Sequence, residues 1–287
     1  MPTGHLRRGR TPTRSCITNH NKILYREYHV DINRGDPESP GPVEATVKDG
    51  TRAAQEIVTG EPGSAARRWL GPLALTAFAL FVVVTVLVVG GLPRSSFDLP
   101  VERAIQHVPW GPLTYWMTLT NVTGGLIQDL FGVAVVIALF LWDRRAGWLM
   151  ALGAIGSLID QIIKVSIARQ RPTADLVTIL NPSSGYSYPS GHAFFFTWLA
   201  FMLAIGISPH VGPRWRIFIW IAAAFVIVFA CIGRIWAGAH WPTDVIAGFL
   251  LGVAWSAFIL WLPERWLPTP SGRWIPARWR SSRRSHA

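Results

Sequence analysis

Three short clusters between Lys164 and Asp244 hold the residues of this 287-residue chain best suited to chemistry. They are Lys164 with Arg171-Pro172, then Pro189-Ser190-Gly191-His192, then Arg234 with His240 and Asp244. Each stands at the edge of a long apolar run, where hydrocarbon makes an ionisable group costly and a functional role the default. Together they offer a nucleophile, an acid, an orienting carboxylate and an anion cradle.

His240 and Asp244 are four apart, on one helical face. The carboxylate can accept from one imidazole nitrogen, fixing the tautomer and leaving the other nitrogen as a nucleophile. A His-x-x-x-Asp pair can also bind metal, but no further carboxylate or cysteine ligand attends it. Ser190 can cap a helix and Gly191 permits close backbone approach, so free N–H groups there make an anion site. Most Ser-Gly pairs before a helix are mere caps; His192 one step later argues for more. Lys164 and Arg171, seven apart, would project from nearly the same side of a helix. Lys164 could instead snorkel to an interface or pair with Asp160 one turn earlier.

Composition says what must position them. Half of the residues are hydrophobic and 15% are charged, with a mean hydropathy of +0.30. That is the composition of a membrane protein. A net charge of +11 could suggest nucleic acid. The arginines, however, flank apolar runs and crowd the C-terminal tail, as orientation signals and headgroup contacts do. No nucleic-acid partner is expected. The two cysteines suggest neither a disulfide framework nor a thiolate metal site.

Residues 1–65 are polar, without sustained period, and are expected to be disordered. A six-span domain is expected over 66–264, followed by a basic Trp/Arg-rich tail over 265–287. The first span runs from Trp69 to about Leu92, long enough for a ~30 Å core at ~1.5 Å per residue. Residues 97–108 read as an amphipathic helix lying in the interface. The second span starts near Leu126, after a break at Asn121-Val122-Thr123-Gly124-Gly125, and ends at Trp142. The third covers about Gly147 to Ala168, where Pro172 forbids continuation. The others run from Ser190 to Ile207, Ile217 to Arg234 and Pro242 to Leu262. The fold class is therefore all-α, a polytopic six-helix membrane bundle.

Six spans put both termini on one side, and the arginine bias of Arg67-Arg68, Arg144-Arg145, Arg214-Arg216 and the tail makes that side cytoplasmic. Alternation then forces the end of the third span, the start of the fourth, the end of the fifth and the start of the sixth onto the opposite face. The three clusters, scattered in sequence, meet there at the extracytoplasmic face of the plasma membrane.

The combination resembles the type 2 phosphatidic acid phosphatase (lipid phosphate phosphatase) superfamily, which vanadium haloperoxidases share. Its pattern is Lys-x6-Arg-Pro, Pro-Ser-Gly-His and Ser-Arg-x5-His-x3-Asp. This chain reads KVSIARQRP from Lys164, PSGH from Pro189 and GRIWAGAHWPTD from Gly233, with Gly233 in place of the serine. Three motifs in order with intact spacing make the match specific. The resemblance implies that His240 attacks phosphorus to form a phosphohistidine, oriented by Asp244, and that His192 protonates the leaving oxygen. Lys164, Arg171, Arg234 and the Ser190/Gly191 backbone would hold the phosphate oxygens, with no metal and no cofactor. The implied partners are membrane lipids and a lipid phosphate or diphosphate substrate, of the phosphatidate, phosphatidylglycerophosphate or polyprenyl type. Asp129 and residues 97–110 are candidates for shaping selectivity. Two rivals are a vanadate-dependent haloperoxidase and a silent lipid-binding membrane protein. Haloperoxidase relatives are typically soluble, and a silent protein would not need all six charged or imidazole positions.

Overall fold

The computed structural model describes residues 64–262. The tails expected at 1–65 and 265–287 lie outside them, except that Ser64 and Ala65 already belong to the first helix. Eight α-helices occur among the described residues: α1 (Ser64–Val89), α2 (Asp98–His107), α3 (Leu113–Val122), α4 (Leu126–Trp142), α5 (Arg144–Ile167), α6 (Gly191–Ile207), α7 (Pro213–Trp236) and α8 (Pro242–Trp261). No strand occurs in this region.

Four helices, α1, α5, α7 and α8, are long and apolar enough to cross a membrane. The helices α3 and α4 pass that test only together, bent by 92° at the break between them, and α6 is a shorter apolar helix. The expected start of the second span at Leu126 coincides with α4. Helix α3 was not foreseen. Its LTYWMTLTNV sequence carries Thr114, Thr118, Thr120 and Asn121 among apolar residues, which obscures helical period.

Helix α6 is apolar on all sides and buried along most of its length, as a central helix should be. It packs against α5, α7 and α8, while α1 covers α8. The outer faces are apolar too: Leu75, Leu126, Val165 and Ile217 all point outward and stay exposed. Exposed apolar surface on this scale suits contact with lipid.

Close approach of α6 and α8 depends on Gly248 and Gly252, spaced as a G-x-x-x-G pair. A Cβ on Gly248 would lie 2.4 Å from the carbonyl oxygen of Ser190, and one on Gly252 would lie 2.8 Å from Thr197 Cβ. The same approach lets the Ser190 N–H donate to the Asp244 carbonyl at 2.9 Å. Two of the sequence clusters are thereby joined through backbone at the start of both helices.

Helix α2 turns its polar side inward. Asp98 and Glu102 are buried, whereas Phe97 and Val108 at its ends are exposed. Its carboxylates thus face the protein, and α2 packs on α7 and α8.

Candidate active site

The C-terminal end of α5, the N-terminus of α6, the C-terminal end of α7 and the N-terminus of α8 surround a pocket of about 650 Å³. Its lining includes Lys164, Arg171, Gly191, His192, Arg234 and His240. Such a volume fits a ligand site.

The Lys164 ammonium, on the last turn of α5, donates to the Pro189 carbonyl and lies 3.9 Å from Asp160 Oδ2. Arg171 does not share a helical face with it, as the spacing had suggested. The helix ends at Ile167, and Ala168 takes a left-handed conformation with φ 51° and ψ 35°. Non-glycine residues adopt that conformation uncommonly, and here it turns the chain sharply away from the α5 axis. Arg171 reaches the pocket from the following loop instead. Its guanidinium donates to the carbonyls of Ala239 at 2.6 Å, Gly185 at 3.0 Å, Ser184 at 3.1 Å and Tyr186 at 3.2 Å. It thereby holds the loop before α6 against the loop before α8.

Arg234, on the last turn of α7, donates to the Asn121 side-chain oxygen and to Ser183 Oγ at 3.3 Å. Asn121 in turn donates to the Gly233 carbonyl at 3.0 Å. That contact explains Gly233, where the motif has serine. A Cβ there would sit 3.2 Å from Met117 Cβ and 3.3 Å from Asn121 Nδ2, so the glycine lets α3 lie close against α7.

Ser190 caps α6, accepting from the Ala193 N–H, and is wholly buried. Its hydroxyl stands behind the pocket rather than in its wall. Gly191 is in the wall, where a Cβ would come 3.1 Å from Asp160 Oδ2. His192 Nε2 has no hydrogen-bond partner in the protein, although its ring lines the pocket.

The His240 Nδ1 donates to the Ser187 carbonyl at 2.8 Å, and Asp244 Oδ2 stands 3.7 Å from the same nitrogen. The direct bond to Asp244 expected from the i, i+4 spacing is therefore replaced by one to a backbone carbonyl, with the carboxylate as a close second neighbour. Asp244 Oδ2 instead accepts the Trp241 N–H at 2.9 Å, capping the first turn of α8. With Nδ1 protonated, Nε2 carries the lone pair, and it accepts from Arg171 Nη1 at 3.0 Å. Burial, then Arg234, Arg171 and Lys164, hold His240 well below the usual imidazole range. A neutral, tautomerically fixed imidazole is a nucleophile near neutral pH.

Sequence reading missed Asn121, Arg169 and Asp98. Arg169 bridges Asp244 and Asp98, and burial, which alone would weaken its charge, is outweighed by those carboxylates. Glu102 lies near them with both oxygens buried and unpartnered. Burial first, then Asp244 and Asp98, pushes Glu102 up from 4.5 to about 8. Because its folded value is raised, its contribution to stability is full below about pH 4.5 and is lost as pH rises through 8. Thermal melting of Glu102→Gln should accordingly vary less between pH 5 and 8 than melting of the parent protein. Parallel melting curves for the two proteins would contradict this.

Residues 145–268 match the PAP2 superfamily. A bacitracin transport permease protein, BcrC, from Bacillus licheniformis is 37% identical over 163 residues, covering 56% of this chain and 66% of that one. The chain belongs to the PAP2 superfamily. Among other PAP2 relatives, undecaprenyl-diphosphatase of Sulfolobus acidocaldarius is 27% identical over 63% of this chain and 85% of its own. Phosphatidylglycerophosphatase B of Bacillus subtilis is 29% identical over 62% and 89%. The crystal structure of a transmembrane PAP2 type phosphatidylglycerolphosphate phosphatase from Bacillus subtilis superposes with a TM-score of 0.50. It covers 65% of this chain and 93% of that one at 22% identity, so it shares the fold. With its apolar helices, this PAP2 chain is a multi-pass membrane protein.

Proposed function

We propose that this PAP2 protein is an integral-membrane phosphatase that hydrolyses a lipid phosphate or diphosphate through a phosphohistidine on His240. The observation that carries this reading is the convergence on one pocket of a neutral His240 Nε2, the free Nε2 of His192 and the cations Lys164, Arg171 and Arg234. The names of the relatives, an undecaprenyl-diphosphatase and a phosphatidylglycerophosphatase, support the lipid substrate class.

Each group has a role in the reaction. A phosphate seated among the three cations takes the Arg171 N–H that otherwise caps His240 Nε2, freeing the lone pair. That nitrogen attacks phosphorus in line, the Nε2–P bond forming as the P–O bond to the lipid breaks. His192 gives its proton to the departing oxygen. The cations stay fixed while charge moves over the non-bridging oxygens, so no reorganisation is needed at that moment. Water then attacks the phosphohistidine, His192 takes its proton, and the Nε2–P bond breaks to release phosphate. Asp244, close to Nδ1, stabilises the positive ring of the intermediate.

In this reading α1, the bent α3–α4 pair, α5, α6, α7 and α8 make six spans. The basic connections at Arg144-Arg145 and Arg214-Arg216 then face the cytoplasm, and the pocket opens on the outer side of the plasma membrane. Since the cradle is built of cations, catalysis should need no metal. Purified protein should release phosphate from lipid phosphates in excess EDTA, and vanadate should inhibit by imitating five-coordinate phosphorus. Activity lost on chelation and restored by a divalent ion would contradict the metal-free mechanism.

A further inference from the structure

The loop between α5 and α6 is fastened to the start of α8 by one guanidinium. Arg169 Nη1 donates to Asp244 Oδ1 and to Thr243 Oγ1 at 2.7 Å. Its Nη2 donates to Asp98 Oδ2 at 2.6 Å. Asp98 also accepts the Thr243 N–H at 2.9 Å and the Thr243 hydroxyl at 3.0 Å. The Arg169 side chain is 8% exposed, Asp98 1% and Asp244 0%. None of the three lines the pocket.

We infer that Asp98 and Arg169 are positioning residues for catalysis, fixing the charge and aim of Asp244 behind His240. Three observations carry this. Asp244 has two oxygens with separate duties: Oδ1 takes the guanidinium, and Oδ2 takes the Trp241 N–H and stands beside His240 Nδ1. Without Arg169, a fully buried carboxylate would lose the cation paired with it among the described residues, and a buried carboxylate left unpaired takes up a proton instead. A protonated Asp244 could not stabilise the positive ring that forms when His240 is phosphorylated.

Secondly, the geometry needs a fork. One planar guanidinium reaches Asp244, Thr243 and Asp98 from two nitrogens, and a lysine ammonium cannot reproduce that. Thirdly, every hydrogen bond of Asp98 among the described residues comes from a donor: Arg169 Nη2, the Thr243 N–H and the Thr243 hydroxyl. An asparagine there would keep the shape but set an N–H₂ group against a donor, loosening Arg169. The left-handed Ala168 immediately before Arg169 is the local cost of directing that side chain toward α8.

The inference rests on the proposed phosphatase activity, and its test separates the two. Measure kcat and KM of the full-length protein on a lipid phosphate for Asp98→Asn, Arg169→Lys and Glu102→Gln, each also in an Asp244→Asn background. Asp98→Asn should lower kcat about 10-fold and Arg169→Lys by 10- to 100-fold, with KM changed less than 2-fold because the pocket wall is intact. Glu102→Gln, one turn from Asp98 and equally buried, should stay within 2-fold of the parent. In the Asp244→Asn background, Asp98→Asn should cost nothing further, since residues that act through one another are not additive. If Asp98→Asn and Glu102→Gln lower the activity equally, or if Asp98→Asn costs as much without Asp244 as with it, the network is only structural. Should Arg169→Lys fail to fold, the Asp98→Asn cycle decides alone. A parent protein that releases no phosphate overturns the functional reading and this inference with it; an active parent with an additive cycle overturns this inference only.

Discussion

His240→Ala is expected to abolish turnover with every substrate. The covalent step requires a lone pair on Nε2, and no other side chain in the pocket wall offers an equivalent one at the same place. His192 is the other imidazole there, but in the proposed reaction its proton is directed at the leaving oxygen. A better leaving group cannot substitute for a missing nucleophile, so an activated aryl phosphate should be as inert as an alkyl one. Loss of a single group that acts in concert with others can remove nearly all catalysis. Lipid binding should survive, because Lys164, Arg171 and Arg234 keep their own backbone and side-chain partners. Turnover and lipid binding, measured on the same purified variant, check both halves of the expectation.

His192→Ala should behave differently. It removes proton donation, generally worth about 10²–10⁴-fold, and leaves His240 in place. For an aryl phosphate of low leaving-group pKa the departing oxygen needs no proton, and the loss should shrink by a large part of that factor. The ring of His192 is also packed, with its Nε2 unpartnered in the protein, so truncation leaves space without stranding a hydrogen-bond partner. The measurement is kcat for both histidine variants on an alkyl and an activated aryl phosphate. Rescue of His240→Ala but not of His192→Ala would exchange the two roles.

Much of this arrangement was legible in the sequence because apolar runs and motif residues alternate cleanly. The run ending at Trp142 after the Asn121–Gly125 break corresponds to α4, and Pro242 opens α8 as its place in the pattern implied. Helix α3 was not legible, since its threonines and Asn121 blur the period that marks a helix. The relation of Lys164 to Arg171 departs from the helical spacing for a local reason: Ala168 leaves the helix in a left-handed turn, so counting residues along a helix no longer applies. The supporting residues were hidden for a different reason. Asn121 meets Arg234 across 113 positions and Arg169 meets Asp98 across 71, and no spacing rule connects residues that far apart. The spacing of α2 marks it as amphipathic, yet spacing alone does not say that its polar side faces the protein. In a membrane protein the surroundings can be more apolar than the interior, and Asp98 and Glu102 point inward toward their charged neighbours.

In the proposed reaction phosphorus passes through His240. Radiolabelled lipid phosphate mixed with the purified protein and quenched in alkali within a turnover tests it most directly. The expected result is an acid-labile, alkali-stable label on the peptide carrying His240, attached through Nε2. That label should be absent from His240→Ala and should accumulate in a variant whose second step is slowed. Phosphate release at the normal rate with no labelled peptide, or with the label on His192, would contradict it.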